Sequence, residues 1–171
     1  CVAYYNQICI GVTYRSMTPL ESPLIACLVL LAGWGALGVA GLVRPTSVAF
    51  VGRVLFPLGA LIGLVLALVA LASLGSPPET VTLVIGLPDL PMHLRLDALS
   101  RVFMVLLGSA TTGVSLFASG YFRQGQGTSP GVLGLQYHLF LASMGFVLLA
   151  DDAYAFMVAW ETMALTSYFL V

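Results

Sequence analysis

Long apolar stretches with almost no charged positions dominate the chain and predict helices that cross a membrane. The first runs over about 23–43 and ends at Arg44 and Pro45, where a charge precedes a residue that cannot continue a helix. The second runs over about 54–74 and ends in the turn sequence 75–78. Each stretch has about 20 residues, the number of helical residues that crosses roughly 30 Å of hydrocarbon.

Three more apolar stretches follow, over about 98–120, 132–150 and 153–171. Only Asp151 and Asp152 separate the last two, so we expect these helices to be antiparallel neighbours joined by a tight turn. The pattern predicts an all-α transmembrane fold with five membrane-spanning helices. Helices satisfy their own backbone polar groups, which lipid cannot do.

Residues 79–97 follow a different pattern, in which apolar and polar side chains alternate on both sides of a turn sequence at 86–89. A period of two residues around such a turn predicts a short β-hairpin. Its open edges could not be satisfied in hydrocarbon, so we expect an extramembrane hairpin between the second and third helices.

Composition agrees with the membrane class, because 60% of the residues are hydrophobic and only 8% are charged. A soluble domain carries about a quarter charged residues. The net charge of −1 provides no basic surface for nucleic acid. Cys1, Cys9 and Cys27 have neither the paired spacing of a metal site nor that of a disulfide framework.

The beginning of the chain is mixed, and we interpret residues 1–18 as an interfacial or truncated N-terminal segment that precedes a transmembrane region over 19–171. The chain opens with Cys1 instead of Met and ends inside an apolar run, so we expect it to be a piece of a longer protein. Arg44 and Arg53 bracket the short loop at 44–53, which favours the cytoplasmic side for that loop.

Glu161 is the strongest candidate for chemistry. It lies nine residues after Asp152, which is about 13–14 Å along a helix and close to the middle of the membrane. A carboxylate there costs about 2.5–3.5 kcal/mol and usually marks a proton or ion path. The structural alternative is a neutral acid that joins helices through a hydrogen bond, for example to Thr162 or Thr166.

His138 is a second candidate for proton translocation. Counted from the tight turn, it lies about 6 Å deeper than Glu161, so it could exchange protons with Glu161 through water. The alternative is a histidine that bonds a backbone carbonyl. Asp151 and Asp152 fit a turn and a helix start, although either could form the entry or exit of a proton path. Asp97 fits a helix cap.

Several motifs of energy-converting enzymes are missing from the sequence. It contains no phosphate-binding loop, no dinucleotide fingerprint, no cysteine cluster for iron and sulfur, and no haem attachment motif. We therefore expect no cofactor, no metal and no redox centre in this chain. Any energy for transport would come from a partner.

The stretch 140–171 resembles the fourth and fifth helices of antiporter-like subunits. Such subunits occur in respiratory complex I, in multi-subunit cation/proton antiporters and in membrane-bound hydrogenases. The pair Trp160 and Glu161, followed by Ser167 and Tyr168, carries most of the similarity. The sequence Asp-Ala-Leu-Ser at 97–100 resembles the same family. Within it, the chain is most similar to hydrogenase-4 component B and formate hydrogenlyase subunit 3.

This resemblance covers about 92–171. It implies that Glu161 matches a glutamate that pairs with a lysine on a later, broken helix, and that changes in their separation move a proton. It also implies an N-terminus on the outer side of the membrane. The present chain contains no lysine and ends after the fifth helix. It would therefore supply only one member of the charge pair.

The expected function is that of a multi-pass subunit in the cytoplasmic (inner) membrane that conducts protons. Electron transfer would take place in the other membrane and peripheral subunits of a hydrogenase or complex-I-like assembly. Two alternatives stay open: a subunit of a multi-subunit sodium/proton antiporter, or a membrane scaffold that transports nothing.

Overall fold

The computed structural model of the chain describes residues 22–87, 90–121 and 129–170. The expectations for residues 1–18, for positions 88 and 89 of the turn and for most of the connection before α5 lie outside these residues. In chain order the elements are α1 (Pro23–Gly41), α2 (Val48–Phe50), a π-helical turn (Val51–Leu55), α3 (Phe56–Ala72), β1 (Glu79–Leu87), β2 (Leu90–Leu96), α4 (Ala98–Tyr121), α5 (Pro130–Leu149) and α6 (Ala153–Leu170).

Within the described residues, four helical segments are long and apolar enough to cross a membrane, and they are Pro23–Gly41, Val48–Ala72, Ala98–Tyr121 and Pro130–Leu149. The predicted helical fold with a small sheet is confirmed, but the prediction of five such spans was wrong by one. Helix α6 forms where the fifth span was expected. Polar residues in α6, among them Glu161, Thr162 and Ser167, reduce its apolar character.

The second span begins earlier than the sequence indicated, at Val48 instead of near position 54. Ser47 caps it, because the Ser47 hydroxyl oxygen accepts a hydrogen bond from the Phe50 N–H at 3.3 Å. The chain then makes one π-helical turn, in which the Phe56 N–H donates to the carbonyl of Val51. Pro57 follows and has no N–H to donate, which favours an irregular turn at this point.

The predicted β-hairpin is present. Its strands pair antiparallel from Glu79 opposite Leu96 to Leu87 opposite Leu90, with an irregularity between Leu83 and Gly86. Leu94 and Leu96 are buried, whereas His93 and Arg95 are exposed. The alternation in the sequence therefore corresponds to one face of β2 that packs on the helices and one that does not.

The helices pack closely, α3 against α4, α1 against α5, and α5 against α6. Glycines allow the closest approaches. A Cβ atom added at Gly108 of α4 would lie only 2.5 Å from the carbonyl oxygen of Gly63 in α3, and one at Gly145 of α5 would overlap the Leu31 side chain of α1. Many large apolar residues face outward, as expected for helices that contact lipid, among them Leu61, Leu68, Leu106 and Phe117.

Candidate functional site

Glu161 is the ninth of the eighteen residues of α6 and so lies at the middle of that helix. Helix α6 is buried on the side of Ala155, Ala159 and Thr166, whereas Glu161 is exposed. Its neighbour Trp160 is exposed as well. Among the described residues, nothing forms a hydrogen bond or an ion pair with the Glu161 carboxylate.

The two threonines considered as structural partners of Glu161 bond to their own helix. The Thr162 hydroxyl donates to the carbonyl of Val158 at 2.8 Å, and the Thr166 hydroxyl donates to the carbonyl of Thr162 at 2.9 Å. The Glu161 carboxylate therefore lies on an apolar, outward-facing surface of α6, where it could pair with a group from another element.

His138 has the opposite environment. It is fully buried on α5, and its Nδ1 atom lies 2.7 Å from the carbonyl oxygen of Gly134, one turn earlier. Its ring lies near Phe56, with ring centroids 5.8 Å apart. The second ring nitrogen, Nε2, has no hydrogen-bond partner among the described residues. It points at Gly59 of α3, where an added Cβ would be only 2.6 Å away.

Other polar groups surround this histidine. The hydroxyl of Tyr137 lies 2.9 Å from the hydroxyl of Ser115 on α4. The indole Nε1–H of Trp34 on α1 donates to the carbonyl of Gly59 at 3.1 Å. Both bonds lie in the interior of the bundle, where α1, α3, α4 and α5 meet.

The structure does not bring His138 and Glu161 together. His138 contacts α3 through Gly59 and Phe56, and it borders α1 at Gly38. Glu161 lies on the exposed side of α6. The tight turn predicts a similar depth for the two residues, but depth says nothing about the direction in which each side chain points from its helix.

Asp151 and Asp152 join the hairpin to the α5–α6 turn. The Asp152 carboxylate accepts the Ala155 N–H at 2.7 Å in the first turn of α6 and also accepts the backbone N–H of His93. These bonds lower the pKa of Asp152 below its ordinary value of 3.8, since both stabilise the charged carboxylate. Asp151 lies 3.8 Å from Arg95, and its N–H donates to the carbonyl of His93 at 2.9 Å.

Asp97 caps α4, where its carboxylate accepts the N–H of Ser100 at 2.8 Å. Backbone and side-chain hydrogen bonds from Ser100 lower the pKa of Asp97 below its ordinary value. The sequence interpretation of Asp97 as a cap agrees with this geometry.

A buried network of hydrogen bonds around Arg101 was not predicted from the sequence. This side chain has no exposed surface, and its guanidinium donates to the carbonyls of Ser76 and Pro77 at 2.8 Å each. The Glu79 carboxylate lies 4.0 Å away and accepts the Ser22 hydroxyl at 2.6 Å. An arginine in the first turn of an apolar helix normally reaches water, so the sequence contains no signal for its burial.

No group of three His, Cys, Asp or Glu side chains that could hold a metal comes together among the described residues. A groove of about 340 Å³ lies between α4, α5 and α6, and residues such as Phe103, Leu106, Met144 and Met163 line it. Its lining is apolar, so it offers no polar group to orient a charged cofactor.

Comparison with known proteins finds no matching family model. The chain is 34% identical over 80 residues to hydrogenase-4 component B of Escherichia coli K12, a match that covers 47% of this chain and 12% of that protein. Two uncharacterized proteins from strains of Mycobacterium tuberculosis are each 36% identical over 86 residues, which is 50% of this chain and 13% of theirs. The matches thus span about an eighth of the relatives' length. Together with the four apolar helices, the similarity fits a membrane subunit of the antiporter-like kind.

Proposed function

We propose that this chain is part of a membrane subunit of a hydrogenase-like complex and that Glu161 carries protons in it. The similarity to hydrogenase-4 component B and the four apolar helices support this assignment. In this proposal the protein lies in the cytoplasmic (inner) membrane. Other membrane and peripheral subunits perform the electron transfer that drives the protons.

The position of Glu161 is the observation that carries the proposal. A carboxylate at the middle of a mainly apolar helix, without a described partner, is costly in lipid unless another group covers it. Only residues 150–152 separate α5 from α6, and the two helices pack on each other. We infer that α6, although less apolar than the four candidate spans, also lies at membrane depth beside α5 and that its Glu161 side faces a further protein element.

The chemistry follows from the cost of a buried charge. When no cation is near, the neutral, protonated acid is favoured, because desolvation penalises the carboxylate. When a cation on a facing element approaches, the carboxylate is stabilised and the proton leaves. If the two states open to opposite sides of the membrane, the cycle moves a proton across. The family resemblance suggests a lysine as this cation.

The test is Glu161→Gln in the full-length protein within its complex, because glutamine keeps the size and polarity of the side chain but cannot release a proton. We expect proton movement into vesicles to be abolished or strongly reduced while the complex still assembles. Met157→Gln is the matched control, since it places the same amide on the exposed side of α6 one turn earlier. It should leave transport nearly unchanged.

Two results would contradict the proposal. One is undiminished proton movement in the Glu161→Gln protein. The other is an equal loss in both glutamine variants, which would indicate that α6 merely tolerates no further amide on this side. Glu161→Asp keeps the titrating group and should retain part of the transport.

A further inference from the structure

The hydrogen bond between His138 and Gly134 fixes the form of the imidazole ring. A carbonyl oxygen can only accept, so the Nδ1 atom at 2.7 Å from it must carry a hydrogen. In the neutral ring the other nitrogen, Nε2, then has a free electron pair. This nitrogen is therefore the atom of His138 that can gain or lose a proton while the bond to Gly134 stays in place.

The surroundings of Nε2 leave this electron pair without a hydrogen-bond partner among the described residues. The side chain has no exposed surface, and Nε2 makes no hydrogen bond to the described residues. It faces Gly59, where any Cβ atom would lie only 2.6 Å from it. The missing side chain of Gly59 thus lets the imidazole approach the backbone of α3, which a Cβ atom would prevent. A buried acceptor without a partner is costly and commonly marks a bound water or a chemical role.

We propose that His138 is a second proton-binding site inside the bundle, with Nε2 as the atom that takes up the proton and Gly59 as the residue whose missing side chain leaves room for the ring in this position. This inference rests on the proposed function, proton transport, and adds a site that is separate from Glu161. In the binding step a proton from water joins the electron pair of Nε2, the Nδ1–H stays on the Gly134 carbonyl, and the ring gains one positive charge. Release reverses the step.

The neighbours of the ring can stabilise that charge without an acid. The centroid of the Phe56 ring lies 5.8 Å away, within the ~6 Å over which an aromatic ring attracts a cation. Gly38, Phe56 and Gly59, which approach from α1 and α3, carry no charge. Tyr137, beside it on α5, is titratable.

A polar connection continues from the ring towards α4. Tyr137 stands edge-on to the imidazole with centroids 5.3 Å apart, and its hydroxyl lies 2.9 Å from the Ser115 hydroxyl. Hydroxyl groups can both donate and accept, so this pair can pass a proton when water is nearby. Nothing in this connection involves α6. The two proposed proton sites should therefore titrate independently of each other.

The first experiment measures the protonation of His138 directly. The full-length protein is labelled with ¹⁵N in its histidine rings and reconstituted in lipid, and its NMR spectrum is recorded as the pH is lowered, with His138→Gln used to assign the signal. We expect the form with hydrogen on Nδ1 alone at high pH and a second hydrogen on Nε2 at lower pH. A ring that keeps one form at every pH would overturn the proposal.

Two glycine variants test the role of Gly59. In Gly59→Ala the added methyl group should hinder protonation of Nε2, so the transition should shift or vanish. Gly113→Ala is the control, because an added Cβ on that residue of α4 meets nothing within 4 Å. It should titrate like the parent protein. An unchanged transition in Gly59→Ala would refute the role of Gly59. If that variant does not fold, the titration of the parent protein still decides whether His138 binds a proton.

The link to transport is tested with His138→Asn and His138→Gln in vesicles. Both side chains can hydrogen-bond but neither titrates, so we expect each to lower proton movement by roughly 100-fold at the optimal pH and to change its pH profile. A histidine with only a structural role would instead show normal transport in at least one amide variant. Glu161→Gln separates the hypothesis for Glu161 from the hypothesis for His138. It should stop transport, yet it should leave the NMR transition of His138 unchanged.

Discussion

The carboxylate of Asp152 contacts His93 at two points, the backbone N–H and, at 3.3 Å, the ring nitrogen Nδ1. The same carboxylate accepts the Ala155 N–H in the first turn of α6. One side chain therefore connects the hairpin to the start of the helix that carries Glu161. The backbone adds to this connection, because Leu94 and Ala150 form an isolated β-bridge.

We predict that this connection weakens in acid. The pKa of Asp152 is lower in the folded protein than its ordinary value of 3.8, because the N–H groups of Ala155 and His93 stabilise the charged form. The contribution of Asp152 to stability is therefore complete at pH values above its ordinary pKa. It is lost as the pH falls through the lower pKa of the folded protein. Protection factors of the β2 amides, which are exchange rates corrected for the intrinsic effect of pH, should fall along a descending pH series in that range.

Asp152→Ala provides the comparison for the acid effect. It should expose the β2 amides to exchange already at neutral pH and remove most of the acid dependence. Asp151→Ala is the matched control, since the Asp151 side chain is exposed and, in the part of the chain that the structure describes, its carboxylate pairs only with Arg95, at 3.8 Å. Exposed ion pairs of this kind contribute little. An acid dependence that persists in Asp152→Ala would show that another group causes it.

We predict that Arg101→Met strongly destabilises the bundle. The guanidinium makes two hydrogen bonds of 2.8 Å to the carbonyls of Ser76 and Pro77, and bonds to a charged group are worth about 1.5–3 kcal/mol each. The free energy of unfolding should fall by about 3 kcal/mol, measured by thermal unfolding in detergent. A loss near zero would mean that the two carbonyls find other donors.

Glu79→Gln tests the acidic side of the same network. A glutamine oxygen can still accept from the Ser22 hydroxyl and from the Leu24 N–H, which now donate to Glu79 at 2.6 and 3.1 Å. The Glu79 carboxylate is also 4.0 Å from Arg101 and partly exposed. We therefore expect a smaller loss than for Arg101→Met. Equal losses would place the main stabilisation in the ion pair, which both substitutions remove.

We predict opposite outcomes for two glycines of α4. In Gly108→Ala the new Cβ would lie 2.5 Å from the Gly63 oxygen and 2.8 Å from the Ala67 nitrogen, both backbone atoms that cannot turn away. Such overpacking costs about 1–3 kcal/mol. Gly113→Ala meets nothing within 4 Å and should stabilise α4 by up to about 1 kcal/mol. Thermal unfolding of both variants measures the difference, and equal effects would contradict the close contact.

Local patterns in the sequence were enough to predict most of the fold. The alternation over 79–97 predicted the hairpin, and the apolar lengths predicted four spans close to their observed bounds. The error at α6 has a physical reason. The feature that makes this helix interesting, a carboxylate among hydroxyl-bearing residues, also reduces the hydropathy by which a span is recognised.

The site was less predictable, since it depends on contacts between distant parts of the chain. Glu79 and Arg101 are 22 residues apart and meet only because the hairpin folds back between them. Residue counting gave the depth of His138 and Glu161, but only the packing of α5 against α1 and α3 determines the side on which His138 lies. No local sequence pattern determines how α5 is rotated about its own axis relative to α1 and α3.

The π-helical turn at Val51–Leu55 inserts one extra residue into the helix of the second span. One residue corresponds to about 100° of rotation, so α2 and α3 present their side chains in different phases. A single helical wheel drawn through both would place Ala49 and its neighbours on the wrong side of the helix. Scanning mutagenesis of this span therefore needs two wheels, one on either side of the turn.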